Sequence, residues 1–291
     1  MHDQAKALRG LMEHRSRSVA DRLSCFGSPA ERQVITVTSG KGGVGKSNIA
    51  LNLAVALAEA GEPVLLLDVN WGVGNIELLC GLNSPWNLSH VLGGSRRLDE
   101  ILLQGPHGVT IVPGAGSLAE HPPNAPSVQA VSELLYTLEE QFRFAIVDLG
   151  TGMHRAIRRF LADSDRVLIV TTPEPPSIAE AYASIKSLSD IDGPAWEVLV
   201  NEASSMEEAE SIFQRLYRTT RAFLQKDLAW AGWIPEDAHV PKSVGLRSPL
   251  LVEHPHSPAS QALRRTARRL INQTPANRPA RISTSFQTAL V

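Results

Sequence analysis

A chain of 291 residues with 43% hydrophobic and 20% charged residues and a formal net charge of −2 can bury a large α/β core. That balance excludes a protein held to nucleic acid by bulk charge, although it leaves room for a local basic patch. The two cysteines, Cys25 and Cys80, lie in no ligand-spaced motif, which argues against a disulfide framework or a zinc site and for a reducing cytosol.

No apolar run approaches the roughly 18 to 20 residues that span a bilayer, and Met1-His2-Asp3-Gln4 opens no signal peptide. The expectation is a cytoplasmic protein whose membrane contact, if any, is peripheral. Residues 1–30 read as a short helix and a polar linker. Asp3 is a plausible N-cap, Ala5, Leu8, Leu11 and Met12 form an apolar stripe, and His14-Arg15-Ser16-Arg17-Ser18 ends it. Three helical turns are marginal alone in water, so this segment needs something to dock on.

Val34-Ile35-Thr36-Val37-Thr38 is a β-branched strand, and Ile49, Leu53, Ala56, Leu57 and Ala60 share one face of the helix that Gly61 closes. Between them stands Ser39-Gly40-Lys41-Gly42-Gly43-Val44-Gly45-Lys46-Ser47, which fits G-x-x-x-x-G-K-[ST] in full. Glycines let backbone N–H groups turn inward around an anion, and the new helix adds the positive end of its dipole. The expected ATP contacts run from Gly40 through Asn48. Lys46 serves the β- and γ-phosphates and the Ser47 hydroxyl serves Mg²⁺. Lys41 is not required by an ordinary phosphate loop; its side chain points away from its own nucleotide and could reach one in a facing copy.

Val64-Leu65-Leu66-Leu67-Asp68 reads as a buried parallel strand that puts a carboxylate at the ligand-collecting edge. Trp86 to Leu92 reads as a short helix, Val109 to Val112 as a strand, and Pro113 to Gly116 as a turn. A loop at 121–126 precedes a helix to about Gln141, with Val128, Val131, Leu134, Leu135 and Leu138 inward. Phe144 to Asp148 and Arg166 to Thr171 are further strands, followed by Trp196 to Asn201, a long helix over about 204–226, and a last strand from Leu228 to Ile234. Ala259, Ala262, Leu263, Ala267, Leu270 and Ile271 then alternate with Arg264, Arg265, Arg268 and Arg269 in a basic amphipathic helix. It either packs on the sheet with its arginines solvated or lies on anionic lipid. His254-Pro255-His256 reads as a loop rather than a metal site.

Lys41 to Ser47 resembles the K-G-G-x-G-K-[ST] signature of the deviant Walker A ATPases (MinD, ParA and relatives). The resemblance implies a P-loop NTPase fold: a doubly wound, mostly parallel α/β sheet with helices on both faces. It also implies an ATP-dependent homodimer in which Lys41 stabilises charge on the partner's γ-phosphate. Asp148-Leu149-Gly150-Thr151-Gly152 then corresponds to the Walker B aspartate and second switch, making Ser47, Asp68 and Asp148 the metal set. Asn201 would read the adenine edge, and Pro235, in Gly232-Trp233-Ile234-Pro235-Glu236-Asp237, would lie beside the base and ribose.

The first switch, Asp68-Val69-Asn70-Trp71-Gly72-Val73-Gly74-Asn75, resembles D-A-D-x-G-x-x-N with one departure. Asn70 stands where the family has the aspartate that orients the attacking water. An amide positions water but accepts no proton. Phosphoryl transfer relies mainly on positioning and charge, so the expectation is slow hydrolysis, with Asn70, Lys41 and Lys46 as the catalytic set. A non-hydrolysing nucleotide-dependent switch is the alternative.

Two segments are similar to the flagellar-number regulators of that family, FlhG or FleN. They are Asp3-Gln4-Ala5-Lys6-Ala7-Leu8-Arg9 and Thr171-Thr172-Pro173-Glu174-Pro175-Pro176-Ser177-Ile178-Ala179-Glu180-Ala181-Tyr182. In that branch the first element binds and activates the signal-recognition-type GTPase FlhF, so Asp3, Gln4, Leu8 and Arg9 become partner-binding candidates. A flagellar basal-body protein or transcription regulator is the further partner class. A ParA-like DNA-binding partition ATPase is the rival, with the four C-terminal arginines as its only basic cluster, and nucleic acid is not the expected ligand. The implied organisation is an N-terminal element over 1–30, an ATPase domain over 31–272 and a flexible tail over 273–291.

Overall fold

In the computed structural model, residues 32–70, 74–114, 141–150 and 155–273 are described. The N-terminal element, Trp71, the helix expected before Gln141, Gly152 and the tail from Thr274 lie outside them. Among the described residues, eight strands form one sheet in the order β3-β4-β2-β5-β1-β6-β7-β8. They are β1 (Gln33–Ser39), β2 (Val64–Val69), β3 (Leu103–Gln104), β4 (Thr110–Val112), β5 (Phe144–Leu149), β6 (Arg166–Thr171), β7 (Ala195–Ala203) and β8 (Ala229–Pro235). All pairings are parallel except β3 with β4. The central strands are buried on both faces, which is why they read as continuous apolar runs.

Helix α1 (Lys46–Glu59) carries the chain away from the phosphate loop. Ile49, Leu53 and Leu57 are buried as expected, but so are Ala50, Leu51, Ala54 and Val55. The helix is covered twice, by the sheet and by the last helix, so an apolar stripe widens to nearly the full circumference. Short helices α2 (Ile76–Leu79), α3 (Leu88–Leu92) and α4 (Leu98–Ile101) fill the connection to β3. The expected strand at 109–112 is present as β4, while α2, α4 and β3 had no periodic signal because each is at most one helical turn or two residues long.

Beyond β5 come α5 (Arg155–Ala162), α6 (Pro175–Ser187) and α7 (Met206–Leu224), then α8 (His239–Leu246), α9 (Leu250–Glu253) and α10 (Pro258–Asn272). Ser205 caps α7 by accepting from the Glu208 N–H at 3.2 Å. The apolar face of α10, with Ala259, Ala262, Leu263, Ala267 and Leu270, is buried against α1 and β8. This is the packed alternative of the two readings of that helix, with one difference: not all of its arginines are solvated. Arg264 makes a two-pronged bond to Glu59, at 2.6 and 2.9 Å, and Arg269 reaches Glu197, whereas Arg265 and Arg268 are exposed.

Glu197 is 2% exposed and also pairs with Arg166, whose Nε donates to Gln33 Oε1 at 3.1 Å and whose Nη2 donates to the Gln273 carbonyl at 3.2 Å. This buried network ties the end of α10 to β1, β6 and β7. At the opposite edge, burial pushes the Asp237 carboxyl up, but hydrogen bonds from the His239 and Ala259 N–H groups and the His239 and Ser257 side chains outweigh it and bring it to about 2. Asp237 thereby holds the starts of both α8 and α10.

Candidate functional site

The carboxyl edge of the sheet carries a cleft of about 350 Å³ lined by Ser39, Lys41 to Gly43 and Gly45 to Asn48 of the phosphate loop, by Asn70 and Asn75, and by Leu78 and Leu79. Strand β1 ends there between β5 and β6, and the chain must turn sharply before α1. Gly45 makes that turn with φ +81°, and a Cβ on it would sit 2.6 Å from Asn201 Nδ2. Gly40 has no room either, because a Cβ there would lie 2.2 Å from the Glu180 carbonyl carbon and oxygen in α6. The loop is therefore clamped from two sides, by β7 and by α6.

Lys46 does not hang free in the cleft. Its Nζ is 2.7 Å from Asp148 Oδ1, with the lysine side chain 8% exposed and the aspartate fully buried. Ser47 Oγ is 3.5 Å from the same ammonium. Asp148 Oδ2 is buried with no hydrogen-bond partner. The Asp148 carboxylate, with one oxygen unpartnered, and the Ser47 hydroxyl both lie within reach of the Lys46 ammonium and supply hard oxygen donors, so these residues fit a Mg²⁺-type cation.

Asp68 sits opposite Asp148 in the β2–β5 register, and its carboxylate accepts three backbone hydrogen bonds. Oδ1 accepts the Asn70 N–H at 2.9 Å, and Oδ2 accepts those of Asn75 and Ile76 at 2.9 and 3.2 Å. Burial, and then the Asp148 charge, push its carboxyl well above the usual range despite those bonds. The structure thus gives Asp68 the work of fixing the first-switch backbone.

Asn70 faces the cleft and lies against the second switch: a Cβ on Gly150 would be 2.9 Å from Asn70 Oδ1. Lys41 is paired with Glu174, both partly exposed, and the hydrogen bond to that glutamate raises its pKa. Its ammonium is held in cis by Glu174 of the Thr171-to-Tyr182 segment. Asn201 is buried and its Nδ2 donates to the Val44 carbonyl at 2.9 Å, so its side chain buttresses the loop. Pro235 ends β8 and, like Asn201 and the buried Val44, is not part of the cleft wall. Leu78 and Leu79 are, which sequence reasoning missed: two adjacent leucines carry no chemical signal of a site. Asp3, Gln4, Leu8 and Arg9 lie outside the described residues. Among the described residues, no group of three or more His, Cys, Asp or Glu side chains is arranged to hold a metal by itself, and no helix is long and apolar enough to cross a membrane.

Residues 35–247 match the family model of the CobQ/CobB/MinD/ParA nucleotide-binding domain. The chain is 38% identical over 251 residues to the antiactivator FleN of Pseudomonas aeruginosa, covering 84% of this chain and 88% of that one. It is 30% identical over 279 residues to the flagellum site-determining protein YlxH of Helicobacter pylori, covering 94% and 92%. Among solved structures, the MinC:MinD cell division complex of Aquifex aeolicus superposes with a TM-score of 0.67 at 27% identity, over 84% of this chain and 99% of that one. MinD of Pyrococcus horikoshii, complexed with Mg-ADP, has a TM-score of 0.67 at 23% identity, over 82% and 96%, a likeness of fold.

Proposed function

This chain belongs to the CobQ/CobB/MinD/ParA family of nucleotide-binding ATPases, in the flagellar branch with FleN and YlxH, and from that premise we propose that it is an ATP-dependent dimerising regulator of flagellar number or placement that acts with an FlhF-like GTPase. The observation that carries the ATP part is the clamped phosphate loop with Lys46 and the half-satisfied Asp148 beneath it. Bound Mg²⁺ would neutralise charge developing on the phosphates, and Ser47 and Asp148 are the residues placed to hold it.

The chain's own groups do the rest. Lys46 exchanges its aspartate for phosphate oxygens when nucleotide enters, and the loop amides orient them. Asp68 keeps the Asn70 and Asn75 backbone in place, so Asn70 can hold a water by hydrogen bonding without taking its proton. Lys41 must leave Glu174 to reach a nucleotide in a facing copy, which links dimerisation to the loss of one ion pair. By analogy with the family, Asn201 and Pro235 serve the base. The Asn70 amide also supports a second reading, a long-lived ATP-bound switch with negligible turnover. The DNA-partition reading is weakened by Arg264 and Arg269, which are spent on Glu59 and Glu197.

Single-turnover ATP hydrolysis at high protein concentration separates the first two readings. Slow turnover in wild type that only Lys46→Ala abolishes supports a working ATPase. Binding without hydrolysis, with turnover restored by Asn70→Asp, supports the switch. Deleting residues 2–12 should abolish stimulation of the cognate GTPase while leaving ATP binding intact; unchanged stimulation would sink the partner assignment.

A further inference from the structure

Asn52 lies one turn beyond Asn48 on α1 and is 1% exposed. The phosphate chemistry does not use it, yet both ends of its amide are committed. The Leu251 backbone N–H in α9 donates to Asn52 Oδ1 at 3.1 Å. A backbone N–H can only donate, so this bond fixes which end of the amide is oxygen. The other end is the NH₂ group, which donates to the Asn48 backbone carbonyl at 2.9 Å and to the Asn48 side-chain oxygen. With its Oδ1 turned back onto Asn52, Asn48 has its own NH₂ group left for the cleft that it lines.

We propose that Asn52 is a positioning residue of the nucleotide site: taking its orientation from the α9 backbone, it sets the Asn48 amide so that N–H donors rather than a carbonyl oxygen face a phosphate oxygen. The inference rests on the nucleotide reading of the cleft. A reversed Asn48 amide would offer an acceptor to an anion and lose a charge-assisted hydrogen bond, an effect of about tenfold or more in affinity.

The test is titration of fluorescent ATP and ADP analogues onto the full chain, for wild type, Asn48→Ala, Asn52→Asp and the double variant. Asn52→Asp keeps the acceptor for Leu251 but offers no N–H to Asn48, whose amide must reverse. The expected result is about tenfold or greater weakening for both analogues in Asn52→Asp, and no added weakening when the same change is made in Asn48→Ala. An equal loss with and without the Asn48 side chain would mean a merely structural role and overturns the proposal.

Because a buried carboxylate at position 52 can unfold the chain, Asn48→Asp supplies a second arm. It still accepts from Asn52 but shows only oxygen to the cleft, so it should bind more weakly than Asn48→Ala. Binding of Asn48→Asp equal to wild type also overturns the proposal. Wild type that binds neither analogue is a separate outcome, which removes the nucleotide reading and this inference with it.

Discussion

Gly40→Ala tests whether α6 is braced directly on the phosphate loop. The added Cβ would stand 2.2 Å from the carbonyl carbon and oxygen of Glu180 and 2.6 Å from the Ala181 nitrogen. These are backbone atoms of a helix whose Ile178, Ala181 and Ile185 are buried in the core, so no side chain can swing aside. Ordinary carbon contact requires about 3.5 Å or more, and the helix or the loop must therefore move by more than roughly 1 Å. Overpacking of that kind costs about 1–3 kcal/mol, a fall of roughly 2 to 6 °C in Tm for a domain of this size. Gly42→Ala is the control, since a Cβ there meets nothing within 4 Å. Thermal unfolding of the two variants without nucleotide gives the comparison. Equal midpoints for Gly40→Ala, Gly42→Ala and wild type would refute the brace.

Glu174→Gln removes the partner of Lys41 at a partly exposed site, so unfolding should be unchanged while an ATP-dependent dimer forms at lower protein concentration; sedimentation that shows the same concentration dependence as wild type counts against the latch. Glu197→Ala strands Arg166 and Arg269 in a buried setting and should cost about 3 kcal/mol or more in urea unfolding, with a loss below about 1 kcal/mol arguing that the network is decorative. The Asp237 carboxyl is depressed to about 2 in the folded chain, below its ordinary value of about 3.8. Its contribution, about 2 kcal/mol, is thus present above about pH 4 and lost as pH falls toward 2. The stability gap between wild type and Asp237→Asn should close over that window, and a gap that stays constant would show that those hydrogen bonds do not favour the ionised form.

The core strands were legible because each is a continuous β-branched or leucine run ending at a turn or a carboxylate, as in Val64 to Asp68. The phosphate loop was legible because its spacing is a chemical requirement rather than a propensity. What stayed hidden are the contacts between segments distant in the chain. Nothing local in Lys41 says that it rests on Glu174, and the resemblance that nominates Asp68 as a metal ligand does not show that three backbone amides donate to it. Asn52 carries no local signal of a site; its orientation depends on Leu251, nearly two hundred residues away. The reading of the arginines on α10 was half right for the same reason, since the partners of Arg264 and Arg269 come from α1 and β7.

The two margins of the sheet bear on how copies of this molecule can meet. On one side β3 is only two residues long and runs against its neighbour. On the other, β8 is kinked by Gly232 at φ +131° and slips register against β7. Neither offers the long, flat row of free amides and carbonyls that lets sheets join end to end. Strand-by-strand growth into fibres is therefore discouraged at both margins of the described sheet, and the proposed ATP-dependent dimer would use the rim that carries the cleft instead. An assembly made face to face there, with each copy using the same surface, closes after two members and has no open end from which to lengthen.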